Sequence, residues 1–330
     1  MKNQITKRQH YVNRKYLSNW KNEKEQVMVV FPNGSKFANP TNVFLEKYVY
    51  ELVPITEKEK TFILSFFGSE DRRKLASYNF DFHSLIDVAS AYKYLADSNN
   101  YPHPLLQLFD TIIFVCHYTK VVSEIVKDRG IKIPLDYYTD KTKNLFKSSI
   151  EELEGVFEGY GYPVIDKVSN EKTIQIEEWK QFVEFLTIQY FRTNIMKNSC
   201  VSNNPEINIQ RIWPILHLVI GVNFSSSLLC REINIEVLVN KTPTKFITSD
   251  QPVINLLMKD GEETKELKLY YPISPYFAII LEPNSINKVD SLSIKTAYKE
   301  ISKETDIELY NSKIKASSTT IVRQVLLNEQ

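Results

Sequence analysis

The chain has 330 residues, of which 43% are hydrophobic and 25% charged, a composition typical of a globular protein and not of a disordered one. Lys and Arg total 41 and Asp and Glu 40, so the formal charge of +1 excludes a global field that would attract nucleic acid or an anionic membrane. The three cysteines are far apart and lack metal-ligand spacing, which predicts a reducing, cytoplasmic location.

The first predicted element is a short helix behind a basic arm. Asn13 is a residue type that caps helices, and Val12 and Leu17 have the spacing of a hydrophobic staple. The arm contains no acid before Glu23, and its cations form either a solvated tail or a local surface for an anionic partner. They are Lys2, Lys7, Arg8, Arg14 and Lys15.

A β-branched run at 26–32, closed by turn residues, predicts a strand, and apolar residues at helical spacing follow from about 57 to 199. The clearest helical segments are 59–67, 83–97, 105–126 and 177–196. The glycines of 155–163 predict a loop or hinge between helices, and Pro214 predicts a break or kink near the start of the apolar segment 209–224. The longest apolar stretch, 213–224, is interrupted by His217 and is shorter than the roughly 20 residues of a spanning helix, and the first residues have no signal-peptide run, so we expect a soluble chain.

Short β-branched or aromatic runs separated by turn signals begin near residue 232 and predict consecutive antiparallel strands. They are 232–240, 244–249, 252–258, 266–274 and 276–282. The stretch from about 287 has helical spacing and predicts helices that close onto the sheet. The predicted fold is therefore α+β, a helical lobe packed against an antiparallel sheet of about five strands. We expect an arm with a short helix and strand (1–56), the helical lobe (57–230) and the sheet with C-terminal helices (231–330), folding as one cooperative unit.

Several common chemistries lack their sequence motifs. The 8 glycines form neither a dinucleotide-binding G-x-G-x-x-G nor a phosphate-binding Walker loop. H-E-x-x-H, C-x-x-C and G-x-S-x-G are also absent, which argues against the common zinc proteases, redox proteins and esterases. We expect neither a metal nor a cofactor.

Two polar residues occur where the helical pattern at 180–198 is apolar. Gln189 lies in the middle of the densest apolar side and Arg192 at its flank. An unpaired buried guanidinium costs several kcal/mol, so Arg192 requires a carboxylate, carbonyl groups or an anionic ligand. A structural ion pair and a ligand site remain equal alternatives at this point.

Asp250 is the carboxylate that we expect Arg192 to contact. It follows a predicted strand beside Ser249, and the N–H that an Asp in a turn usually binds is missing because that position is Pro252. Alternatively, Asp250 accepts a hydrogen bond from the N–H of Val253. Strand ends often present functional side chains, although a tight polar turn has the same pattern.

His10 is the third candidate. It precedes the N-terminus of the predicted helix, where the positive end of the helix dipole favours a neutral imidazole, the form that acts as a base near pH 7. The other histidines, His217 among them, lack comparable polar company and are interpreted as ordinary core or surface residues.

Together these stretches resemble an uncharacterised, mostly bacterial family, domain-of-unknown-function family 4238. The family opens with His-Tyr-Val-Pro-x-x-Tyr-Leu-x-x-Phe, has Gln-x-x-Arg-Thr on a central helix, and continues with Ile-Thr-Ser-Asp-x-Pro-Val and Pro-Leu-Ser-Pro. Here Asn13 replaces the proline of the first motif, which a helix start tolerates because either residue suits that position, and Trp20 replaces the phenylalanine. The resemblance implies a shared polar constellation but no established activity. The matching stretches are 10–12 with 16–20, 189–193, 247–253 and 272–275.

The prediction for function is a metal-independent nuclease, RNA-directed, that acts as a bacterial toxin or phage-defence effector. A neutral His10 can take the proton of a 2′-hydroxyl, Arg192 can stabilise the phosphorane charge, and Asp250 can orient the imidazole. The residues predicted to bind substrate are Arg8, Tyr11, Gln189 and Ser249. The expected partners are RNA or another phosphate-bearing ligand and an inhibitor or sensor protein, with no membrane. A non-catalytic anion or nucleotide sensor and a purely structural polar cluster are the alternatives.

Overall fold

The computed structural model describes residues 8–51, 56–66, 135–258, 266–288 and 292–325. Within these ranges helices and strands form an α+β fold, as predicted. The helices predicted at 83–97 and 105–126 lie outside the described residues. The helices are α1 (Arg14–Leu17), α2 (Glu57–Leu64), α3 (Leu135–Ser169), α4 (Ile176–Phe191), α5 (Asn194–Asn203), α6 (Ile209–Leu229) and α7 (Glu304–Ala316).

Strands form a five-stranded, a four-stranded and a two-stranded sheet, with the orders β10-β5-β9-β8-β7, β3-β2-β11-β6 and β1-β4. The strands are β1 (Arg8–His10), β2 (Val27–Phe31), β3 (Gly34–Ala38), β4 (Leu45–Lys47), β5 (Arg231–Asn240), β6 (Thr248–Ser249), β7 (Ile254–Asn255), β8 (Leu269–Pro272), β9 (Phe277–Lys288), β10 (Ser293–Ile301) and β11 (Ile321–Arg323). The four-stranded sheet joins both ends of the chain, because β11 pairs with β2 and with β6.

The five-stranded sheet is packed on both faces. Along β9, Ile279 and Leu281 belong to the core cluster shared with α3, α4 and α6, whereas Ala278 and Ile280 belong to the cluster shared with α7. This alternation is the two-residue period of a strand whose neighbours cover both faces.

The C-terminal stretch differs from the prediction. Residues 293–301 form a strand and not a helix, and this strand pairs with β5 in parallel, with Ser293 opposite Glu232 and Ile301 opposite Asn240. The other pairings between described strands are antiparallel. The open edge of β5 supplies a ladder of hydrogen bonds for 293–301, which outweighs the weak local helical spacing. Of the predicted C-terminal helices, α7 is the one found in the described residues.

The glycine-rich segment 155–163 was predicted as a loop, and this prediction is wrong. It lies inside α3, which also contains Pro163. A Cβ built on Gly161 would lie 2.2 Å from the Phe185 ring of α4, and one on Gly221 of α6 would lie 2.6 Å from Ile188 Cδ1. Glycine at these two positions therefore allows α3 and α6 to approach α4 closely.

The segment 180–198 was predicted as one helix, and it is two. The first helix, α4, ends at Phe191 with Arg192 as its C-cap, and Thr193 begins α5 by accepting the N–H of Met196. The Thr193 hydroxyl is also bonded to Gln251 Oε1. The break therefore places Arg192 at a helix end, where its side chain can reach several elements.

The helix α6 is apolar enough and long enough to cross a membrane, and it is the one helix of this kind in the described residues. The fold buries 78% of its most apolar window, against α4, α2 and β5 among others. Pro214 does not break it, since the helix continues from Ile209 to Leu229.

Candidate functional site

The candidate site is a cleft of about 350 Å³, called here the His10 cleft. It lies where the N-terminal arm meets α3 and the end of α4. Its lining residues supply cations, carboxylates, an imidazole and a phenol. The lining residues are Arg8, His10, Asn13, Arg14, Tyr50, Glu151, Glu154, Glu158 and Arg192.

The predicted helix start positions the arm. Asn13 accepts the N–H of Lys15 at 2.6 Å, and Val12 and Leu17 are both buried, as expected for a capped helix with a hydrophobic staple. Three residues further back, His10 ends the short strand β1, which pairs with β4. The cap therefore fixes the chain direction just after the imidazole.

Arg192 is the buried charge at the base of the cleft, with 3% of its surface exposed. Its Nη1 lies 3.0 Å from Glu154 Oε2 and 3.1 Å from Glu158 Oε1. Its Nη1 also donates to Gln189 Oε1 at 3.3 Å. Burial by itself would lower the pKa of the guanidinium, but Glu154, Tyr50 and Glu158 raise it well above its usual value. Arg192 is therefore a cation held by protein groups.

A buried histidine continues the network behind Glu154. His217 Nε2 lies 2.6 Å from Glu154 Oε1, and Nδ1 lies 2.7 Å from the carbonyl oxygen of Trp213. A carbonyl only accepts, so Nδ1 donates to it, and Nε2 shares a hydrogen bond with the carboxylate. Burial would raise the pKa of Glu154, but Arg192 and His217 hold it below its usual value.

The backbone of His10 is bound to this network. The carbonyl oxygen of His10 accepts from Arg192 Nη2 at 2.7 Å and from the Tyr50 hydroxyl at 3.0 Å. The same hydroxyl accepts from Arg192 Nε at 3.0 Å. Residue 10 is thus held by two buried donors that also contact each other.

Unlike the backbone carbonyl of His10, one nitrogen of its imidazole ring has no hydrogen-bond partner in the described part of the chain. Its Nε2 is shielded from solvent and has no hydrogen-bond partner among the described residues. Burial lowers the pKa of His10, and Arg14 and Arg192 lower it further, while bonds to the backbone of Pro40 and Thr41 raise it. The lowered pKa agrees with the predicted neutral form, but its main cause is burial. A buried nitrogen without a hydrogen-bond partner costs free energy.

Two cations at the rim are not neutralised within the described part of the chain. Neither Arg8 nor Arg14 forms an ion pair there, although Arg8 Nη2 donates to Asn42 Oδ1 at 3.3 Å. The acidic wall opposite them contains Glu151, which accepts from the Gln9 side chain at 3.3 Å. The rim therefore suits a single phosphate group better than a long stretch of polyanion.

The predicted pair of Arg192 and Asp250 is not formed. Asp250 directly follows β6, as expected, but it accepts from the N–H groups of Thr319 and Thr320 at 3.1 and 3.3 Å and from the Thr319 hydroxyl. The loop after α7 therefore supplies the hydrogen bonds that Pro252 cannot. Arg192 uses carboxylates of α3 instead.

Ser249 and Tyr11 also do not line the His10 cleft. The Ser249 hydroxyl closes a local turn, donating to the carbonyl of Gln251 at 2.9 Å and accepting its N–H at 3.1 Å. The ring of Tyr11 packs against Phe44, with centroids 5.9 Å apart. Burial, Asp250 and Glu46 raise the pKa of the Tyr11 hydroxyl. Both residues belong to the framework around Asp250.

The signature stretches do meet in space, chiefly through hydrogen bonds to backbone carbonyls. The Tyr16 hydroxyl lies 2.6 Å from the carbonyl of Pro272 and 2.6 Å from the Thr248 hydroxyl. Trp20 Nε1 donates to the carbonyl of Phe246 at 2.9 Å, and Asn19 Nδ2 donates to that of Ile273 at 2.7 Å. The first motif thus attaches the N-terminal arm to the sheet.

Sequence reasoning missed Glu154, Glu158, Tyr50 and the role of His217. A signal for Glu154 exists, since it falls in the buried stripe of α3 together with Ile150 and Phe157. A carboxylate in an apolar stripe needs a partner for the same reason that Arg192 does. The stripe was overlooked because 155–163 was interpreted as a loop.

The family model described as "Protein of unknown function (DUF4238)" matches residues 224–323, so the resemblance to this family is confirmed over this part of the chain. The matched region runs from the end of α6 to β11 and includes Asp250 and its partners on 319–320. His10 and Arg192 lie outside it. Comparison with curated proteins and comparison with solved structures gave no match.

Proposed function

We propose that the His10 cleft binds one phosphate group of an RNA strand and that the chain cleaves RNA without a metal, with His10 as the general base. The biological role proposed with it is that of a bacterial toxin or phage-defence effector. The observation that carries the proposal is the unpartnered, solvent-shielded Nε2 of His10, a residue that lines the cleft together with Arg8 and Arg14.

The reaction needs few groups. Nε2 takes the proton of a 2′-hydroxyl, the 2′-oxygen attacks the adjacent phosphorus, and the 5′-oxygen leaves with a proton from water. The backbone bonds of the ring to Pro40 and Thr41 leave the lone pair on Nε2, because Nε2 itself has no partner. Since Nε2 is shielded from solvent, RNA must displace rim side chains to reach it.

Of the expected triad of His10, Arg192 and Asp250, only His10 keeps its role in this proposal. Arg192 is occupied by Glu154 and Glu158, so Arg8 and Arg14 are the cations assigned to the phosphate. Asp250 is bonded to 319–320 and is not assigned to the reaction. Cations beside the phosphate stabilise the charge that develops in the transition state.

The test is incubation of the purified chain with total cellular RNA in EDTA, with an all-deoxy oligonucleotide as control. We expect RNA but not the deoxy oligonucleotide to be cleaved, and we expect His10→Asn to abolish cleavage. Arg14→Gln should raise KM, whereas Arg323→Gln, at an exposed position of β11 outside the cleft, should leave cleavage unchanged. Intact RNA with folded protein would exclude the nuclease.

A second function, phosphate or nucleotide binding without turnover, is favoured by one observation. Asp250, the carboxylate expected to orient the imidazole, is bonded elsewhere. In that case calorimetry should detect nucleotide binding to the wild-type chain, and RNA should stay intact. The binding should weaken as the salt concentration rises and should be lost in Arg14→Gln.

A further inference from the structure

We infer that Arg192 and Tyr50 are positioning residues that hold His10 in place by its backbone. This inference rests on the proposed function, since it explains how the proposed base is kept at the cleft. The basis is the convergence of Arg192 Nη2, at 2.7 Å, and the Tyr50 hydroxyl, at 3.0 Å, on the carbonyl oxygen of His10.

The strand that carries His10 needs such support. β1 has three residues and, among the described strands, pairs only with β4 in the two-stranded sheet, so its ladder contributes little stability of its own. The preceding residue, Gln9, is also bonded to Tyr50, since its side-chain Oε1 accepts the N–H of Tyr50 at 2.9 Å. Residues 9 and 10 are therefore attached to Tyr50 and Arg192 by side-chain bonds as well as by the ladder.

The positioning groups are themselves fixed by the helical lobe. Glu154 and Glu158 of α3 hold Nη1 of Arg192, and His217 of α6 holds Glu154 from behind. The Tyr50 ring lies 5.6 Å from the guanidinium carbon and 5.8 Å from the His217 ring. A chain of buried groups thus runs from α6 through α3 and the end of α4 to the backbone of His10.

A role through His10 differs from a purely structural role in its consequences. A misplaced base lowers kcat by about 10- to 100-fold with little change in KM, since substrate contacts at the rim remain. A structural bond that is lost lowers the melting temperature but leaves kcat and the His10 titration unchanged. The two accounts therefore predict different measurements on the same variant.

The test variant is Tyr50→Phe, which keeps the ring contacts and removes only the hydroxyl. Tyr16→Phe is the matched control, because Tyr16 is equally buried and its hydroxyl also donates to a backbone carbonyl, that of Pro272. Arg192→Lys serves as a second variant, which keeps the charge but cannot reach three groups at once. The readouts are kcat and KM on RNA and the NMR titration of the His10 imidazole.

We expect Tyr50→Phe to shift the His10 imidazole resonances and to lower kcat by at least about 10-fold, with Tyr16→Phe like wild type in both. Unchanged His10 resonances and kcat in Tyr50→Phe, with a melting temperature lowered as in Tyr16→Phe, would overturn the inference. If wild type has no activity but Tyr50→Phe alone shifts the His10 resonances, positioning stands and the nuclease proposal fails. If wild type is active and Tyr50→Phe changes nothing at His10, only the positioning role fails.

Discussion

Arg192 has almost no contact with water, so the groups around it determine its energetics. Two glutamates, a phenol, an amide and a carbonyl surround the guanidinium. Replacing one member of a buried pair leaves the other charge unpaired and costs about 3–5 kcal/mol, although the pair as a whole is worth less. The network therefore fixes one arrangement of the arm, α3 and α4 more than it adds to stability.

A double-mutant cycle distinguishes Glu154, the observed partner of Arg192, from Asp250, the expected one. Arg192→Met and Glu154→Gln should each lower the free energy of unfolding, and the double variant should lose clearly less than the sum, because the second change removes a group that is already unpaired. Denaturant unfolding measures all four free energies. The cycle with Asp250→Asn in place of Glu154→Gln should be additive within about 0.5 kcal/mol. Equal coupling in both cycles would contradict the assignment.

The lowered pKa of His10 predicts in which direction the free energy of unfolding changes with pH. Its folded pKa lies below the usual 6.5, so the unfolded chain takes up this proton at higher pH than the folded chain does. The free energy of unfolding therefore falls as the pH drops through 6.5 and levels off below the folded pKa. His10→Asn should reduce this slope and leave the melting temperature near neutral pH almost unchanged.

The measurement is the melting temperature of wild type and His10→Asn from about pH 8 to pH 5. The Glu154 carboxyl does not overlap with this window, because its pKa is held below 4.5 and its contribution is lost only as the pH falls further, through that folded pKa. Identical slopes in the two proteins would show that the His10 pKa is not lowered.

Among the elements, α4 is approached by two neighbouring helices, α3 and α6, at glycine positions. Gly161 and Gly221 lie where a side chain would overlap Phe185 and Ile188. By contrast, a Cβ on Gly159, also in α3 and exposed, would meet nothing within 4 Å. Of these two glycines of α3, Gly161 is required for packing against α4 and Gly159 is not.

Alanine substitution tests this difference. Gly161→Ala should lower the free energy of unfolding by about 1–3 kcal/mol through overpacking against the Phe185 ring. Gly159→Ala should raise it by up to about 1 kcal/mol, since alanine is the better helix former. Denaturant midpoints of the two variants provide the comparison, and a destabilised Gly159→Ala with a neutral Gly161→Ala would contradict the packing account.

Local patterns predicted those elements whose signals are local. The cap at Asn13 with its staple, the strand around 27–31 and the strand around 232–240 all need only nearby residues. The segments 155–163 and 293–301 were misassigned because Phe185 of α4 and the edge of β5, both distant in sequence, decide their structure. The break after α4 depends in the same way on Gln251, the partner of Thr193.

For the molecule as a whole, long-range contacts join the N-terminal arm to the sheet region near the other end of the described chain. β11 and β2 pair across nearly the full length of the chain, and the motif residues Tyr16 and Trp20 bind the arm to the sheet. Of the expected constellation, His10, Gln189 and Arg192 come together, while Ser249 and Asp250 form a second cluster. Sequence identified the polar residues that need partners, but which carboxylate reaches Arg192 is decided by tertiary packing.

The end groups of RNA fragments test the central claim most directly. Attack by a 2′-oxygen, with His10 as the base, leaves a 2′,3′-cyclic phosphate on one fragment and a 5′-hydroxyl on the other. We predict these ends after incubation of a defined RNA with the wild-type chain in EDTA, and no fragments with His10→Asn. Fragments with a 3′-hydroxyl and a 5′-phosphate, or equal cleavage by His10→Asn, would contradict the account.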